Sequence, residues 1–399
     1  MAHQNRSRPP ASPAIHGGDR VLSYLLGAVA RLLLTFRRPQ KFSPDTIRTA
    51  QSFLFIRPEG LGDLILTLPA IAYIRRENPG ARLAMAVRPA FAKFVGDMQV
   101  VDEIIPLDYP KRSTLTPRQL RPFLGQVWRM RGRYDVAFDF RGDARNAIIG
   151  AWAAPIVTGP GAPGTQFLLS ARYQDSTLLP AAERNLGIVS LGQATPPAME
   201  DYAPAFRYHV DESARQHATE LLPSREKYVL VHPGASKPSN RWDPGRWRDV
   251  VRRLLESGKH VVITGAGAED SQLATEIQEG LPGALTCLVD RTDCADLTPI
   301  VERAQLVISP DTGIAHIAFA QRIPSVTLFG SESEFLWGHE GPIHAALCTA
   351  LPCRPCGAYR CPRTDFPMEC MASITVEQVC SAASAVLLAS AETRTCLPG

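Results

Sequence analysis

Short apolar runs alternate with amphipathic stretches along most of the 399-residue chain. Apolar runs bounded by turn residues predict buried strands, and the amphipathic stretches between them predict helices. In the first half the predicted strands are 52–56, 82–87, 101–107 and 134–140, and the predicted helices are 61–77, 90–96 and 117–130. In the second half the predicted strands are 228–232, 260–264, 285–289, 306–309 and 325–329, and the predicted helices are 244–257, 269–279, 296–304 and 313–321.

This alternation predicts two α/β domains, each with a parallel sheet covered by helices on both faces. We expect two doubly wound, Rossmann-like domains that face a central cleft. The N-terminal domain is predicted at 49–210 and the C-terminal domain at 211–399, with residues 205–226 connecting the two halves. Ligands bind such sheets at the carboxyl ends of the strands, so the informative residues should lie just after strands.

Residues 1–48 form a separate basic arm, of which we expect 1–19 to be disordered. The arm has a net charge of +6 and the remainder −2, so the near-neutral body does not favour nucleic-acid binding. Residues 21–36 (VLSYLLGAVARLLLTF) are shorter than a membrane span and interrupted by Arg31. An apolar face beside cations is typical of an interfacial helix, so we predict that 20–41 binds a membrane surface; a helix packed on the protein itself and a true span are the alternatives.

The first motif is Gly60-Leu61-Gly62-Asp63, after the first strand. Gly62 allows close backbone approach, and Asp63 falls in the first turn of the following helix. A carboxylate at this place can take a proton from an incoming hydroxyl. The alternative is that Asp63 only satisfies free N–H groups at the helix start.

The second motif is His232-Pro-Gly-Ala-Ser236, followed by Lys237 and Arg241. Small residues here bring backbone N–H groups near a phosphate, and Ser236 adds a hydroxyl donor. Lys237 and Arg241 are candidate cations for a diphosphate, although a solvated arginine at 241 is the alternative.

The third and most specific motif is Asp311-Thr312-Gly313-Ile314-Ala315-His316. Asp311 and Thr312 stand where a helix N-cap belongs, and the first N–H groups of such a helix bind phosphate. Gly313 has no Cβ, so a ligand can approach the backbone closely at this position. His316 follows one turn later on the same face, where it could donate to a phosphate or hold the loop. These residues predict a binding site for the phosphate end of a ligand.

With these motifs in order, the chain resembles the heptosyltransferase family of glycosyltransferases, family nine. The resemblance runs from about residue 53 to about 379. Its marks are RPEGLGDLILTLP at 57–69, HPGASKPSNRWDPGRW at 232–247 and SPDTGIAHIAFAQRIPSVTLFG at 309–330. It implies a GT-B fold and an inverting transfer of a sugar, from ADP-heptose in that family, to lipopolysaccharide core or a similar lipid-linked glycan. It also implies chemistry without a catalytic metal.

The resemblance assigns roles to individual residues. It implies that Asp63 is the general base and that Glu269 reaches the ribose. It implies donor contacts by the residues of the three motifs: Gly62, Ser236, Lys237, Arg241, Asp311, Thr312, Gly313 and His316. Two features depart from the family pattern. Asn240 replaces a lysine common before the motif tryptophan, and the stretch after Gly330 lacks a Thr-x-Pro pattern, so the donor sugar is left open.

Four of the nine cysteines crowd into residues 353–370: Cys353, Cys356, Cys361 and Cys370. The C-x2-C start suits a structural zinc site, with free thiols and disulfides as the alternatives. The N-terminus lacks a cleavable signal pattern. We therefore expect a reducing cytoplasm, which disfavours disulfides, and a peripheral location on the inner face of the cytoplasmic membrane.

Three functions remain open from the sequence. The first is a glycosyltransferase acting on a lipid-linked acceptor with a nucleotide-sugar donor, an ADP-sugar by resemblance. The second is an NAD-dependent oxidoreductase, which the lack of G-x-G-x-x-G after any strand disfavours. The third is a non-catalytic protein that binds sugar nucleotides or glycans, which Asp63 argues against.

Overall fold

The computed structural model describes residues 23–28, 30–31, 39–109, 117–174, 179–222, 227–281 and 285–395. These residues fall into two compact units, with the boundary between His209 and Val210. Each unit is built on one parallel sheet of six strands, as the alternating pattern predicts.

The N-terminal unit carries a sheet in the order β3-β2-β1-β4-β5-β6. Its strands are β1 Ser52–Ile56, β2 Arg82–Val87, β3 Glu103–Pro106, β4 Val136–Asp139, β5 Ile156–Gly159 and β6 Ala171–Arg172. Its helices are α1 Pro44–Thr49, α2 Leu61–Ile65, α3 Leu68–Glu77, α4 Pro89–Met98, α5 Pro117–Arg129, α6 Ala144–Ala153 and α7 Ala181–Val189. Short 3-10 helices follow at Gln166–Leu168, Met199–Asp201 and Ala203–Phe206.

The C-terminal unit carries a sheet in the order β12-β11-β10-β7-β8-β9. Its strands are β7 Tyr228–Val231, β8 His260–Ile263, β9 Leu285–Cys287, β10 Ala304–Pro310, β11 Ser325–Leu328 and β12 His344–Leu347. Its helices are α8 Glu212–Leu221, α9 Pro244–Glu256, α10 Ala268–Gln278, α11 Leu297–Arg303, α12 Gly313–Ala320, α13 Glu334–Trp337, α14 Glu369–Ala372 and α15 Val376–Thr395. A 3-10 turn lies at Pro238–Asn240.

Both sheets are doubly wound, which confirms the predicted α/β class. In each unit the first strand pairs with the second on one side and the fourth on the other, so the winding reverses between β1 and β4 and again between β7 and β10. The central strands are buried along their whole length, because helices cover both faces of a parallel sheet. Polar residues that follow these strands therefore gather at the two switch points.

The predicted helix at 61–77 is wrong in one respect, because the structure divides it into α2 and α3. Pro69 lies in the first turn of α3. A proline ring clashes with the carbonyl four residues earlier, here that of Ile65, so a continuous helix cannot pass this point. The break leaves Asp63 on a helix of five residues, next to the loop that follows β1.

No elements were predicted between 141 and 205, but the structure places β5, β6, α6 and α7 there. The strands are only four and two residues long, and β5 contains Thr158 and Gly159. Such short runs carry little periodicity, and tertiary packing decides them.

Within the basic arm, residues 23–28 and 30–31 are helical and pack on the N-terminal unit. Its small residues face inward: the Ser23 hydroxyl donates to the Pro163 carbonyl at 2.6 Å, and Ala30 is buried in the core. A Cβ on Gly27 would lie 2.2 Å from the Gly164 carbonyl oxygen. The outer face exposes Tyr24 and Leu25, by 59% and 60%. This segment is therefore both packed on the protein and apolar toward solvent.

Residues 1–22, 29 and 32–38 of the arm lie outside the described residues, as does the predicted disorder of 1–19. In the described part of the chain, no helix is both long enough and apolar enough to span a bilayer.

We expect Gly27→Ala to loosen the arm. The added methyl group would overlap a backbone carbonyl, a strain of roughly 1–3 kcal/mol that outweighs the gain in helix propensity. Limited proteolysis should then cleave the arm faster, and thermal unfolding should shift down. Gly125→Ala in α5 is the matched control, since a Cβ there meets nothing within 4 Å and should stabilise the helix by about 0.5–1 kcal/mol. Equal effects of the two substitutions would contradict the close packing at Gly27.

Candidate functional site

Asp63 is held at the switch point of the N-terminal unit by two contacts. Its Oδ1 lies 2.9 Å from Nη2 of Arg57, and its Oδ2 accepts the Gly60 backbone N–H at 3.2 Å. The second contact is the capping role considered from the sequence. A quarter of the Asp63 side chain remains exposed, and a carboxylate offers about four lone-pair sites, so it can still accept a proton from outside.

Arg57 is the buried partner that fixes this carboxylate. Only 5% of its side chain is exposed, and its Nε also donates to the Asp63 carbonyl at 3.3 Å. Its Nη1 lies 3.7 Å from Oε2 of Glu59, whose pKa is raised by burial. Arg141, which is more than half exposed, approaches Glu59 from the other side at 3.7 Å. Asp63 therefore belongs to a chain of alternating charges.

The chain continues to Asp139, the last residue of β4. Asn146 donates to Asp139 Oδ1 at 3.2 Å and to Glu59 Oε1 at 3.4 Å, so it links the two carboxyl groups. The backbone N–H groups of Arg141 and Gly142 donate to the same Asp139 oxygen. Its other oxygen is fully buried and has no hydrogen-bond partner in the described structure. Burial raises the pKa of Asp139 to about 7.

The cluster holds more acids than bases. Four carboxyl groups and three guanidinium groups meet here: Glu59, Asp63, Asp139, Asp143, Arg57, Arg141 and Arg145. A proton on Asp139 makes the set neutral, which suits a buried oxygen without a donor. Sequence analysis selected only Asp63. Arg57 and Glu59 lie in the motif at 57–69. Asp139 ends an apolar run, and the sequence does not show that its side chain is buried.

In the C-terminal unit, both predicted phosphate cations are paired with acids. Lys237 forms an ion pair with Glu332, and Arg241 forms one with Glu269 while its Nε donates to the Ala235 carbonyl. The Arg241–Glu269 pair brings together two residues that were selected separately, from the loops after β7 and β8. Glu332 was not predicted, because it lies in a loop distant in sequence.

The small residues after β7 make room for a carboxylate of the protein itself. A Cβ on Gly234 would meet the Asp270 carboxyl group at 2.5 Å, and Asp270 Oδ2 accepts the Ala266 backbone N–H at 3.0 Å. The space beside Gly234, expected for a phosphate, is thus occupied by Asp270. Ser236 itself is exposed, so its hydroxyl is accessible from solvent.

Asn240 has a structural role in this loop. It is 2% exposed, and its Oδ1 accepts from both the backbone N–H and the hydroxyl of Ser331, each at 3.2 Å. The neighbouring Ser239 hydroxyl contacts the Ser331 hydroxyl at 2.9 Å. The residue that departs from the family lysine therefore ties the loop after β7 to the loop after β11.

The Asp311–His316 motif forms the start of α12, with Thr312 as its N-cap in extended conformation. The Thr312 side chain makes no capping bond to the helix N–H groups. Asp311, Thr312 and Gly313 are partly exposed. The structure thus brings these three predicted residues together at the carboxyl end of β10, at the second switch point.

His316 has a neighbour that sequence analysis missed. Its Nδ1 lies 2.8 Å from Nε2 of His339, and the His339 ring stacks on Phe319 with 3.7 Å between ring centroids. Burial, with two nearby histidines, holds the pKa of His339 well below its usual range. His316 is 5% exposed, so this contact gives it the loop-holding role that was one of its two predicted roles.

The four cysteines of 353–370 line one cavity of about 40 Å³. No three His, Cys, Asp or Glu side chains of the described residues are arranged to hold a metal ion, so the expected zinc site finds no support. The eight cysteines that the structure describes are free thiols. Cys361 Sγ accepts the Met368 backbone N–H at 3.4 Å.

Arg354 connects this segment to the loop after β11. Its side chain is only 3% exposed and forms an ion pair with Glu334 at 2.8 Å. It also donates to the carbonyls of Gly330 and Glu332, at 2.6 and 2.9 Å. The cysteine segment therefore holds the loop that carries Glu332, the partner of Lys237.

Two doubly wound sheets with polar residues at each switch point are the architecture of a nucleotide-sugar glycosyltransferase. The family profile "Glycosyltransferase family 9 (heptosyltransferase)" matches residues 127–366. The chain belongs to glycosyltransferase family 9, the heptosyltransferase family, as its motifs predicted.

Two curated relatives are named lipopolysaccharide heptosyltransferases. The chain is 26% identical over 314 residues to lipopolysaccharide heptosyltransferase 1 of Pseudomonas aeruginosa, covering 76% of this chain and 85% of that protein. It is 22% identical over 299 residues to lipopolysaccharide heptosyltransferase 1 of Escherichia coli K12, covering 72% and 90%.

Solved structures share the fold. A family 9 glycosyltransferase from Veillonella parvula aligns with a TM-score of 0.70 at 19% identity, covering 85% of this chain and 97% of that one. The E. coli heptosyltransferase WaaC, solved with ADP, aligns with a TM-score of 0.63 at 19% identity, covering 83% and 98%. These likenesses confirm the predicted GT-B fold.

The buried carboxyl group of Asp139 should make stability depend on pH. Its pKa is about 7 in the fold and near 3.8 when exposed, so the folded state holds a proton that the unfolded state releases. The resulting penalty is absent below the lower value, grows as pH rises, and is complete above about 7, at most about 4 kcal/mol. Asp139→Asn should therefore melt increasingly above wild type between about pH 4 and about pH 8.

Asp102→Asn is the control of opposite sign. The pKa of Asp102 is lowered because bonds from Leu83 N–H and Arg75 outweigh its partial burial, so its contribution is present at high pH and lost in acid. Calorimetry of Asp139→Asn between about pH 4 and about pH 8 provides the test, and Asp102→Asn is followed to pH values below 3.8, because it should melt below wild type by a constant margin above that value and lose the difference only beneath it. A constant melting difference for Asp139→Asn would show that this group is ionised in the folded protein.

Proposed function

We propose that the chain is an inverting glycosyltransferase that transfers a sugar, heptose from ADP-heptose, to a lipopolysaccharide core or similar lipid-linked glycan. The observation that carries the proposal is the partly exposed Asp63 carboxylate, fixed by Arg57 and Gly60 at the first switch point. Membership of the heptosyltransferase family supports the class of reaction.

Asp63 is the proposed general base. The acceptor hydroxyl oxygen attacks the anomeric carbon and gives its proton to Asp63, while the bond between that carbon and the diphosphate breaks. Attack from the face opposite the leaving group inverts the anomeric configuration. Arg57 fixes one carboxylate oxygen and Gly60 the other, so the base is oriented before substrate arrives.

The proposed donor site lies at the second switch point. The departing diphosphate gathers negative charge, which Lys237, Arg241 and the first N–H groups of α12 can stabilise without a metal. Lys237 exchanges Glu332, and Arg241 exchanges Glu269, for phosphate oxygens when the donor binds. Glu269, whose side chain is three-quarters exposed, is then available for the ribose hydroxyls. The proposed contacts also include Gly62, Ser236, Asp311, Thr312, Gly313 and His316.

The choice of ADP-heptose rests on the relatives. The curated relatives are heptosyltransferases, and WaaC was solved with ADP and with ADP-2-deoxy-2-fluoro heptose. Asn240, which stands where the family pattern has a lysine, holds the loop after β11 through Ser331.

We also propose that the protein works on the cytoplasmic face of the inner membrane, where a lipid-linked acceptor would lie. The exposed Tyr24 and Leu25 of the arm supply apolar contact. Residues 20–41 contain five cations for anionic headgroups, and cations near such a surface contribute about 1 kcal/mol each.

Asp63→Ala is expected to remove transfer while leaving ADP binding intact, and Asp63→Asn should lower turnover by roughly 10²–10⁴-fold. Asparagine keeps the side-chain size and one oxygen to accept from Arg57, but its neutral amide cannot take the proton. Product formation and ADP affinity are measured on the same preparations.

Asp45→Ala is the matched control, since Asp45 also lies in the first turn of a helix of the same unit, and it should retain full turnover. Unchanged turnover in Asp63→Ala would exclude Asp63 as the base. ADP binding by a wild-type protein that transfers no sugar would favour the non-catalytic alternative.

Donor class is tested by thermal shift with ADP-, GDP- and UDP-sugars. We expect ADP-sugars to raise the melting temperature, because a ligand that binds only the folded state stabilises it. Lys237→Ala should weaken ADP binding by about tenfold or more, since it removes a charge-assisted bond. Lys259→Ala, the loss of a lysine outside the donor loops, is the control. A shift with UDP-sugars alone would overturn the ADP-sugar proposal.

A further inference from the structure

Helix α5 presents an apolar pair to solvent. Leu124 and Trp128, four residues apart and therefore on one face, are 54% and 61% exposed. The opposite face is buried: Phe123 is 8% exposed, and Met130 just beyond the helix is 1% exposed. The outer face is thus not part of the core, and large exposed side chains together on one helix call for a partner.

This helix and the N-terminal helical segment cover the same core. Phe123 and Met130 belong to the same buried cluster as Ala30, which anchors the segment that exposes Tyr24 and Leu25. The proposed membrane contact of the arm and the outer face of α5 are therefore carried by two helices packed on one cluster. This placement allows the N-terminal helical segment and α5 to contact the same membrane surface.

Arginines surround the apolar pair. Residues 117–133 contain five arginines and no acid. Among the described residues, the exposed side chains of Arg121, Arg129 and Arg131 form no ion pair. Arg131 stacks over the Trp128 and Trp152 rings, at 5.6 and 5.2 Å from their centroids. The local charge is therefore available to an anionic partner.

Of the two described carboxylates that contact this helix and the residues just after it, Glu103 pairs with Arg133 at 3.0 Å, whereas Asp108 accepts from the neutral Gln126 side-chain amide at 2.8 Å and keeps its charge. The exposed Arg121, Arg129 and Arg131 outnumber this one carboxylate, so the local charge is positive.

The combination of tryptophan, leucine and arginine fits a lipid surface. Tryptophan has an apolar body and a polar edge, which suits the boundary between headgroups and acyl chains. Arginine stems lie along apolar surface while their guanidinium groups reach phosphate. A nucleic acid would use the cations but leave Leu124 in water.

We propose that α5 is a second membrane-contact surface, with Trp128 and Leu124 in the headgroup–acyl boundary and Arg121, Arg129 and Arg131 on anionic phospholipid headgroups. The inference extends the proposed action on a lipid-linked acceptor and adds a surface outside the arm. Its test requires no turnover, so its failure and that of the proposed function are distinguishable.

The test is sedimentation of the full chain with phosphatidylglycerol-containing vesicles and with phosphatidylcholine vesicles. Wild type should bind the anionic vesicles, less as salt rises. The combined variant Arg121→Gln, Arg129→Gln and Arg131→Gln should lose about a hundredfold in partitioning. Trp128→Ser with Leu124→Ser should also reduce binding. Brominated lipid should quench the emission of wild type more than that of Trp128→Phe.

Three controls separate this surface from general effects. Arg→Lys at the same three positions keeps the charge and should retain binding. Leu388→Ser removes an equally exposed leucine from the C-terminal unit and should bind as wild type. All variants should keep a single cooperative melting transition and its rise with ADP, which shows that they fold and bind nucleotide, while the loss of the stacking among Trp128, Arg131 and Trp152 lowers the transition slightly.

Wild-type binding in the Arg→Gln and Ser variants would overturn the inference and leave the arm as the lone contact. Absence of vesicle binding by wild type would also overturn it. So would release of wild type from the vesicles by a short oligonucleotide below the lipid concentration, since that would assign the surface to nucleic acid.

Discussion

The buried ion pair between Arg57 and Asp63 is the interaction on which the N-terminal unit's chemistry depends. Arg57 leaves the end of β1 with almost no contact to water, so its charge must be met by carboxylates of the protein. Glu59 meets it from one side and Asp63 from the other. Their combined charge then constrains Asp139 and Asn146 behind them. The proposed base is therefore a partly exposed carboxylate tied to a largely buried charge system.

The reversal of strand order in each sheet explains why charged residues gather at these two places. The loops after β1 and β4, and those after β7 and β10, leave their sheets side by side where helices depart to opposite faces. The N-terminal unit fills this place with a network of alternating charges. The C-terminal unit fills its own with two separate ion pairs, Lys237–Glu332 and Arg241–Glu269, which we propose are exchanged for an incoming diphosphate. One topology thus carries a connected charge network in one unit and isolated ion pairs in the other.

Sequence reasoning identified most central strands, because buried parallel strands are continuous apolar runs. The hydrophobic pattern does not show the helix break at Pro69, which follows from the proline ring, nor does it show β5 and β6, which are too short to have a clear periodicity. At the site, residues next to strand ends could be selected from their motifs. Glu332 and His339 could not, since their roles arise from loops that only the tertiary fold brings near Lys237 and His316.

Arg354 links the cysteine segment to the loop after β11, and this link limits which substitutions the protein tolerates. Its buried guanidinium binds carbonyls of the loop after β11, and Asn240 binds the same loop from the other side. Three stretches far apart in sequence therefore share one set of hydrogen bonds. A substitution that reshapes one of them leaves buried donors or acceptors unpaired in another. We expect substitutions in the loop after β7, the loop after β11 and the cysteine segment to occur together when donor preference shifts among relatives.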